Sequence, residues 1–391
     1  MTTEQRINHQ MRMVGRLLQE YDHERHLPLA RFLTGFYKRN RQMGSNDRRT
    51  VSRLVYRYFR IGNAAQQAEL PMRLAIAEFL CDEDSAVVQQ MLPELYAAIG
   101  LPLEEKVVLL EQHTDFRLED VFPYQAYLSA GIGRLNFVQS LFVQPDLFIR
   151  LRPHWAKEVQ VRLTEEGIAY SVLGEYTLAL SNGVALDRIP GIAGNYVVQD
   201  YSSQRTGNFF EASEGENWWD ATAGAGGKSL LLLDRQPGVN LLVSDIRLSI
   251  LRNLDERFEV AGIKKYRQKV IDLTKDITAI LGDEQFDGII LDAPCSGSGT
   301  WGRTPEMITS FHPDSIAKFS ATQRQIAERV IKHLKPGKPL IYITCSVFSE
   351  ENEQVIAYLQ GTGLIELERM ELLQGYERRA DSMFVARLIR R

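Results

Sequence analysis

Two cysteines in this 391-residue chain stand where chemistry is done. Cys295 lies in Leu291-Asp292-Ala293-Pro294-Cys295-Ser296-Gly297, and Cys345 in Tyr342-Ile343-Thr344-Cys345-Ser346, each just after a short apolar run. Such runs, bounded by Pro, Gly and Ser, read as buried strands, so both thiols sit where strands end. A thiolate there is a nucleophile able to add to an electron-poor carbon and leave again. The third cysteine, Cys81, falls in Ala75-Ile76-Ala77-Glu78-Phe79-Leu80-Cys81, which reads as the core face of a helix. Three cysteines make no disulfide framework and fit a reducing compartment.

A second constellation lies upstream. Trp218-Trp219-Asp220-Ala221-Thr222-Ala223-Gly224-Ala225-Gly226-Gly227-Lys228-Ser229 reads as strand, glycine-rich turn and helix. Glycines let the backbone approach a ligand closely, and the free N–H groups of a helix start attract negative charge. Two readings compete. Gly227-Lys228-Ser229 ends like a P-loop, and Ile289-Ile290-Leu291-Asp292 could pass for a magnesium-binding strand, which together would make a nucleotide hydrolase. However, the first glycine of that pattern falls on Thr222. An adenosyl site wants an acidic residue about 20 positions on, at the end of the second strand, to hold ribose hydroxyls. Asp245 closes Leu241-Leu242-Val243-Ser244, 21 residues after Gly224, and Asp272 follows Lys269-Val270-Ile271, where it can meet the adenine side. The adenosyl reading is the stronger one.

Two thiols beside an activated methyl donor suit carbon 5 of a pyrimidine. That carbon is too weak a nucleophile unaided; a thiolate added at C6 makes it enamine-like. A base must then take the C5 proton while the thiol departs, which gives a second cysteine work to do. Asp292 is placed to hydrogen-bond the ring near N3. A helix opening near Glu350 would favour the thiolate at Cys345.

These residues resemble the RsmB/Sun family of RNA cytosine-C5 methyltransferases. The likeness rests on Asp292-Ala293-Pro294-Cys295-Ser296-Gly297, on Tyr342-Ile343-Thr344-Cys345-Ser346, and on Glu350-Glu351-Asn352-Glu353. Val198-Gln199-Asp200-Tyr201-Ser202-Ser203-Gln204 and Ala380-Asp381-Ser382-Met383-Phe384-Val385-Ala386 look like the family's opening and closing segments of the catalytic domain. The resemblance implies Cys345 as nucleophile, Cys295 as release cysteine and Asp292 as their catalytic companion. It also implies S-adenosylmethionine as cofactor, held by Thr222, Ala223, Gly224, Ala225, Gly226, Gly227, Lys228, Asp245, Asp272 and Asp292. Thr222 through Lys228 departs from the usual Cys-Ala-Ala-Pro-Gly-Gly-Lys, and Gly302-Arg303-Thr304-Pro305-Glu306 has one arginine fewer than the usual Arg-Arg-x-Pro-Asp. The implied substrate is RNA, most readily 16S ribosomal RNA, with tRNA as the alternative. A non-catalytic RNA-binding assembly factor on the same fold is the rival from another class.

The elements that position these groups fall into three expected domains. Residues 1–140 read as helical and are similar to a NusB-like RNA-binding domain, with Asp47-Arg48-Arg49 leading into Leu54-Val55-Tyr56. Val51, Leu54, Val55 and Tyr58 mark one helix face, and Arg49, Arg53, Arg57 and Arg60 another. Residues 141–195 read as a small α+β unit similar to the family's RRM-like insert, with Leu151-Arg152-Pro153 standing near the usual Leu-Arg-Val-Asn. Residues 196–391 alternate strand and helix, as in a doubly wound, Rossmann-like parallel sheet. The expected RNA contacts are Arg49, Arg53, Arg57, Arg152 and Arg303. A net charge of −4 says little against RNA. Residues 1–60 carry thirteen Lys/Arg against five Asp/Glu, and residues 61–120 carry three against twelve. The start, Met1-Thr2-Thr3-Glu4-Gln5-Arg6, lacks a signal peptide's apolar core, and no apolar run nears the ~18 residues of a membrane span. The expected location is the cytoplasm; no metal-ligand cluster is visible and no protein partner is implied.

Overall fold

The computed structural model describes residues 2–391 and divides into two compact units. The first contains the chain up to Ala126, then Gly133–Gln144 and Trp301–His312. It is helical, with its longer helices at Thr3–Asp22, Leu29–Arg39, Ser45–Arg60, Leu70–Cys81 and Leu103–His113. Thr2 and Gln5 form a capping box that satisfies the first helix's free amides. Ser45–Arg60 buries Val51, Leu54, Val55 and Phe59, while Leu70–Cys81 is buried continuously from Arg73 to Leu80 and forms the centre of the unit. Trp301, 1% exposed, packs its ring against those of Phe122 and Tyr124. Glu306 accepts from the Leu29 amide at 3.1 Å. This distant segment therefore completes the helical unit, and the expected boundary at 140 does not enclose it.

The second unit holds two sheets. Strands β1 (Leu147–Leu151), β2 (Tyr170–Gly174), β3 (Thr177–Leu180) and β4 (Tyr196–Val198) pair antiparallel in the order β2-β3-β1-β4. Helix Ala156–Glu165 covers this sheet through Val159 and Leu163, which cluster with Ile149, Leu151, Leu178 and Leu180. The expected insert spans 141–195. Its fourth strand lies beyond residue 195, and the insert belongs to the same compact unit as the larger sheet. Asp234, on helix Gly227–Arg235, takes hydrogen bonds from both Arg150 and Arg152 and fixes the insert there.

The larger sheet contains β5 (Asn217–Asp220), β6 (Asn240–Asp245), β7 (Arg267–Val270), β8 (Gly288–Asp292), β9 (Pro339–Thr344), β10 (Ile365–Leu373) and β11 (Met383–Arg390). Their order is β10-β11-β9-β8-β5-β6-β7. Strands β5 to β9 run parallel, whereas β11 is antiparallel to β9 and to β10, so the sheet is mixed rather than wholly parallel. Side chains alternate between two cores: Trp219, Leu242, Ile289 and Tyr342 face one, and Trp218, Val243, Ile290 and Ile343 face the other. Burial on both faces explains why these strands read as unbroken apolar runs. From β5 the chain moves to β6 on one side and reaches β8 on the other. That reversal opens a crevice beyond the carboxyl ends of β5 and β8.

Candidate active site

The crevice is bounded on one side by the turn from β5 into helix Gly227–Arg235. Gly226 adopts φ +81°, and a Cβ there would come within 2.9 Å of Leu254, so only glycine closes the turn. The turn is tied to the neighbouring strand by Ala223 N–H to Ser244 O at 2.8 Å and Gly224 N–H to Asp245 Oδ2 at 3.2 Å. Asp245 also accepts from the Arg247 amide and guanidinium. Asp272, beyond β7, caps its own turn through the hydroxyl and amide of Thr274, which hold its carboxyl below the usual range.

Asp220 is fully buried at the end of β5, and Ser229 Oγ donates to it at 2.5 Å. Burial pushes its carboxyl up to about 7. The sequence reading places Asp220 at the end of its strand but gives it no role. This bond also argues against the P-loop reading: the Ser229 hydroxyl faces the interior, and Lys228 Nζ lies 2.8 Å from Asp292 Oδ2 instead of standing free for phosphate. Thr222 Oγ1 is buried without a hydrogen-bond partner in the protein. A hydroxyl of that kind, set in a backbone cradle with Asp245 nearby, fits an adenosyl ligand bearing hydrogen-bonding groups.

Strands β8 and β9 are neighbours, with Asp292 opposite Ile343, and the thiols follow them directly. Cys295 Sγ and Cys345 Sγ lie 3.3 Å apart. The contact with Cys345 and burial together push the Cys295 thiol well above its usual range. Helix Glu353–Gly361 begins later than the expected opening near Glu350, after the turn that ends β9. The Lys228 ammonium lies within electrostatic reach of Cys345.

Beneath the thiols lies a polar network that sequence reasoning missed. Glu351, fully buried, accepts from the Ser296 amide at 2.8 Å, Ser346 Oγ at 2.9 Å and Gln323 Nε2 at 3.2 Å. One carboxylate thus fastens the residue after Cys295 to the residue after Cys345. The hydroxyls of Ser296, Ser298 and Ser346 lie 3.0–3.2 Å from one another, and Gly299 N–H donates to the Cys345 carbonyl at 2.8 Å. A Cβ at Gly299 would stand 2.0 Å from the Ser382 carbonyl, so this approach of the two loops requires glycine. In the sequence Glu350-Glu351-Asn352-Glu353 carries the family resemblance, and the fold shows that Glu351 and Asn352 are fully buried.

The cofactor-loop residues, Asp292 and both cysteines therefore meet at one end of the larger sheet, while the expected RNA-contacting arginines divide. Arg53 and Arg57 are ion-paired with Glu78 and Asp82, and Arg57 Nη1 is 2.6 Å from both carboxylates. Two of the four arginines of the stripe are thus paired with Glu78, on helix Leu70–Cys81, and with Asp82, the residue that follows it. Arg60 is buried and donates to the carbonyls of Leu141, Val143 and Gly302. Arg49 is exposed and donates to Asn46. Arg152 anchors the insert through Asp234, and Arg303 is half-buried in the Trp301–His312 segment of the helical unit. No group of three or more His, Cys, Asp or Glu side chains among the described residues could hold a metal ion, and no described helix is long and apolar enough to cross a membrane.

Residues 208–388 match the family model described as 16S rRNA methyltransferase RsmB/F. That part of the chain is similar to the RsmB/F family. The Ribosomal RNA small subunit methyltransferase B of Serratia proteamaculans is 33% identical over 223 residues, covering 56% of this chain and 52% of that protein. The chain thus spans about half the length of this curated relative. The crystal structure of PH0851 covers 90% of this chain and 93% of its own, at 21% identity and TM-score 0.70. The crystal structure of NSun6 from Pyrococcus horikoshii with SFG covers 68% and 97%, at 17% identity and TM-score 0.60. At these identities the two structures speak for the fold. Within the RsmB/F segment, Cys295, Cys345, Lys228, Asp292 and Glu351 all fall inside the matched residues.

Proposed function

We propose that the protein uses S-adenosylmethionine to methylate carbon 5 of cytosine in RNA, with 16S ribosomal RNA as the substrate. The observation that carries this reading is the 3.3 Å approach of two thiols at neighbouring strand ends, beside the Lys228–Asp292 pair. When bound, S-adenosylmethionine supplies the methyl group as an electrophilic sulfonium. The Thr222–Lys228 turn and Asp245 would hold it.

Cys345 adds as a thiolate to C6, forming the S–C6 bond and moving the ring electrons to C5. Asp292 hydrogen-bonds the ring near N3. Cys295 starts protonated, because its neighbour and its burial disfavour a second charge. Once Cys345 is bonded to carbon, that neighbour's charge is gone and Cys295 ionises more readily. With the methyl group on C5 and its own proton released to water, Cys295 takes the C5 proton, the C5=C6 double bond re-forms, and Cys345 leaves as thiolate. The 16S assignment is supported by the names of the family and its curated relatives, and a methylation assay on small-subunit rRNA and tRNA transcripts tests it.

The deciding experiment incubates Cys295→Ala and Cys345→Ala with RNA and methyl donor and looks for a denaturant-resistant complex. Cys295→Ala should accumulate one and Cys345→Ala none. The reverse pattern would exchange the two roles, and a complex with neither would overturn the covalent mechanism.

A further inference from the structure

The chemistry above occupies the carboxyl end of the larger sheet. At the amino end, a cleft of about 1210 Å³ opens between the starts of β5, β6 and β7 and the Arg152–Trp155 turn of the insert. It exceeds the roughly 300–1,000 Å³ of a small-molecule site. Its walls are fixed in advance. Asp234, whose side chain is 5% exposed, accepts from Arg150 and Arg152, and Arg152 also donates to the carbonyls of Gly194 and Ala261.

Of the four tryptophans, Trp218, Trp219 and Trp301 are at most 1% exposed, whereas Trp155 is 43% exposed and lines this cleft. The floor includes the buried side chains of Val239 and Leu241. An exposed indole above an apolar floor gives bases a surface on which to stack. The lining charge is unbalanced. Arg152 is committed to Asp234, and Arg267 to Glu284. Lys264 and Lys265 are exposed and carry no ion pair among the described residues. An open aromatic surface beside two unpaired ammonium groups matches a chain that alternates bases with phosphates. Duplex RNA keeps its bases stacked inside and offers nothing to the ring, and an acidic peptide would use the lysines alone.

We propose that this cleft binds a single-stranded stretch of RNA belonging to the same molecule that presents its cytosine at the opposite end of the sheet. The proposal rests on the RNA reading above and adds a second contact for that substrate. It also relocates the insert's contribution: Arg152 builds the wall, and Trp155, Lys264 and Lys265 meet the strand.

The test titrates oligouridine of about 12 nucleotides, within the range of known single-strand sites, into the full protein. Because the other three indoles are buried, acrylamide-accessible emission reports Trp155. Saturable quenching with protection from acrylamide is expected, and Trp155→Phe should abolish that signal. The Lys264→Glu/Lys265→Glu double variant should weaken binding by about tenfold or more and lower the salt slope by about 2. Both should still methylate a short substrate carrying only the reacting cytosine. Oligouridine binding that leaves Trp155 unquenched would overturn the proposal. Equal quenching by polyglutamate of the same length would assign the cleft to a protein partner and also overturn it. The two readings separate cleanly: quenching without any methyl transfer would sink the activity alone, and methyl transfer without quenching the cleft alone.

Discussion

Lys228 Nζ lies 2.8 Å from Asp292 Oδ2, so one ion pair joins the glycine turn after β5 to the segment leading to Cys295. Burial works against the Lys228 ammonium, but the Asp292 charge more than offsets it and holds the amine above its ordinary range. Lys228→Met should therefore lower the methyl-transfer rate by about a hundredfold, the scale seen when one aligned charge is removed from an active site. The loss of stability should be smaller, about 1–2 kcal/mol, because the Asp292 side chain is 30% exposed and water can take over part of the interaction. Initial rates and urea melts on one preparation check both. A normal rate with a lowered melt would reduce the pair to a structural tie.

Asp220 makes folding stability depend on pH with a definite sign. Its carboxyl moves from 3.8 to about 7 on burial, so between those values the folded chain keeps a proton that the unfolded chain releases. The stabilisation is fully present below 3.8 and is lost as pH rises to about 7. Asp220→Asn removes this titration. The variant should gain on the wild type with a slope of about 1.4 kcal/mol per pH unit across that window, a few kcal/mol in all, and level off above it. Parallel urea-stability curves for the two proteins would refute the assignment.

Glu351→Ala should leave the Ser296 amide, Ser346 hydroxyl and Gln323 amide without their buried acceptor. About 2–4 kcal/mol of stability should be lost, since each such group costs on the order of 1–3 kcal/mol when unsatisfied. Alkylation of Cys295 and Cys345 by iodoacetamide, followed by mass spectrometry, should speed up as the loops part. Glu351→Gln keeps the shape and one acceptor, so it should recover most of both effects. If both variants behave alike, the carboxylate does not align the thiols.

Arg57→Ala tests whether the arginine stripe is structural. Glu78 is fully buried and accepts from Arg57, Arg53 and Ser85. Removing Arg57 should cost about 2–3 kcal/mol, because a buried carboxylate loses its nearest cation. RNA affinity, by filter binding, should change less than threefold. Unchanged stability with a large loss of affinity would restore the phosphate-contact reading.

What the sequence disclosed follows burial geometry. Strands β8 and β9 are covered on both faces and announce themselves as apolar runs, so the positions of Cys295 and Cys345 at their ends were legible. Strand β10 was not: Glu366, Glu368 and Arg369 face solvent on an edge, and the segment lacks both continuous burial and clean alternation. The antiparallel course of β11 was hidden as well, because composition does not encode strand direction. The ion pairs of Arg53 and Arg57 were not legible because their acids, Glu78 and Asp82, are distant in the chain. Glu351 was missed for the same reason, since its partners Ser296 and Gln323 are distant in the chain.

The grip of Asp234 on Arg150 and Arg152 bears on how such a chain can change over evolutionary time. The acid sits on the very helix that opens the cofactor cradle, while both arginines sit in the insert. Losing the acid alone strands two guanidinium groups, one of them deeply buried; losing the arginines strands a buried carboxylate. Positions 150, 152 and 234 should therefore vary together among homologues. A graft of a foreign insert onto this sheet should fail unless residue 234 travels with it.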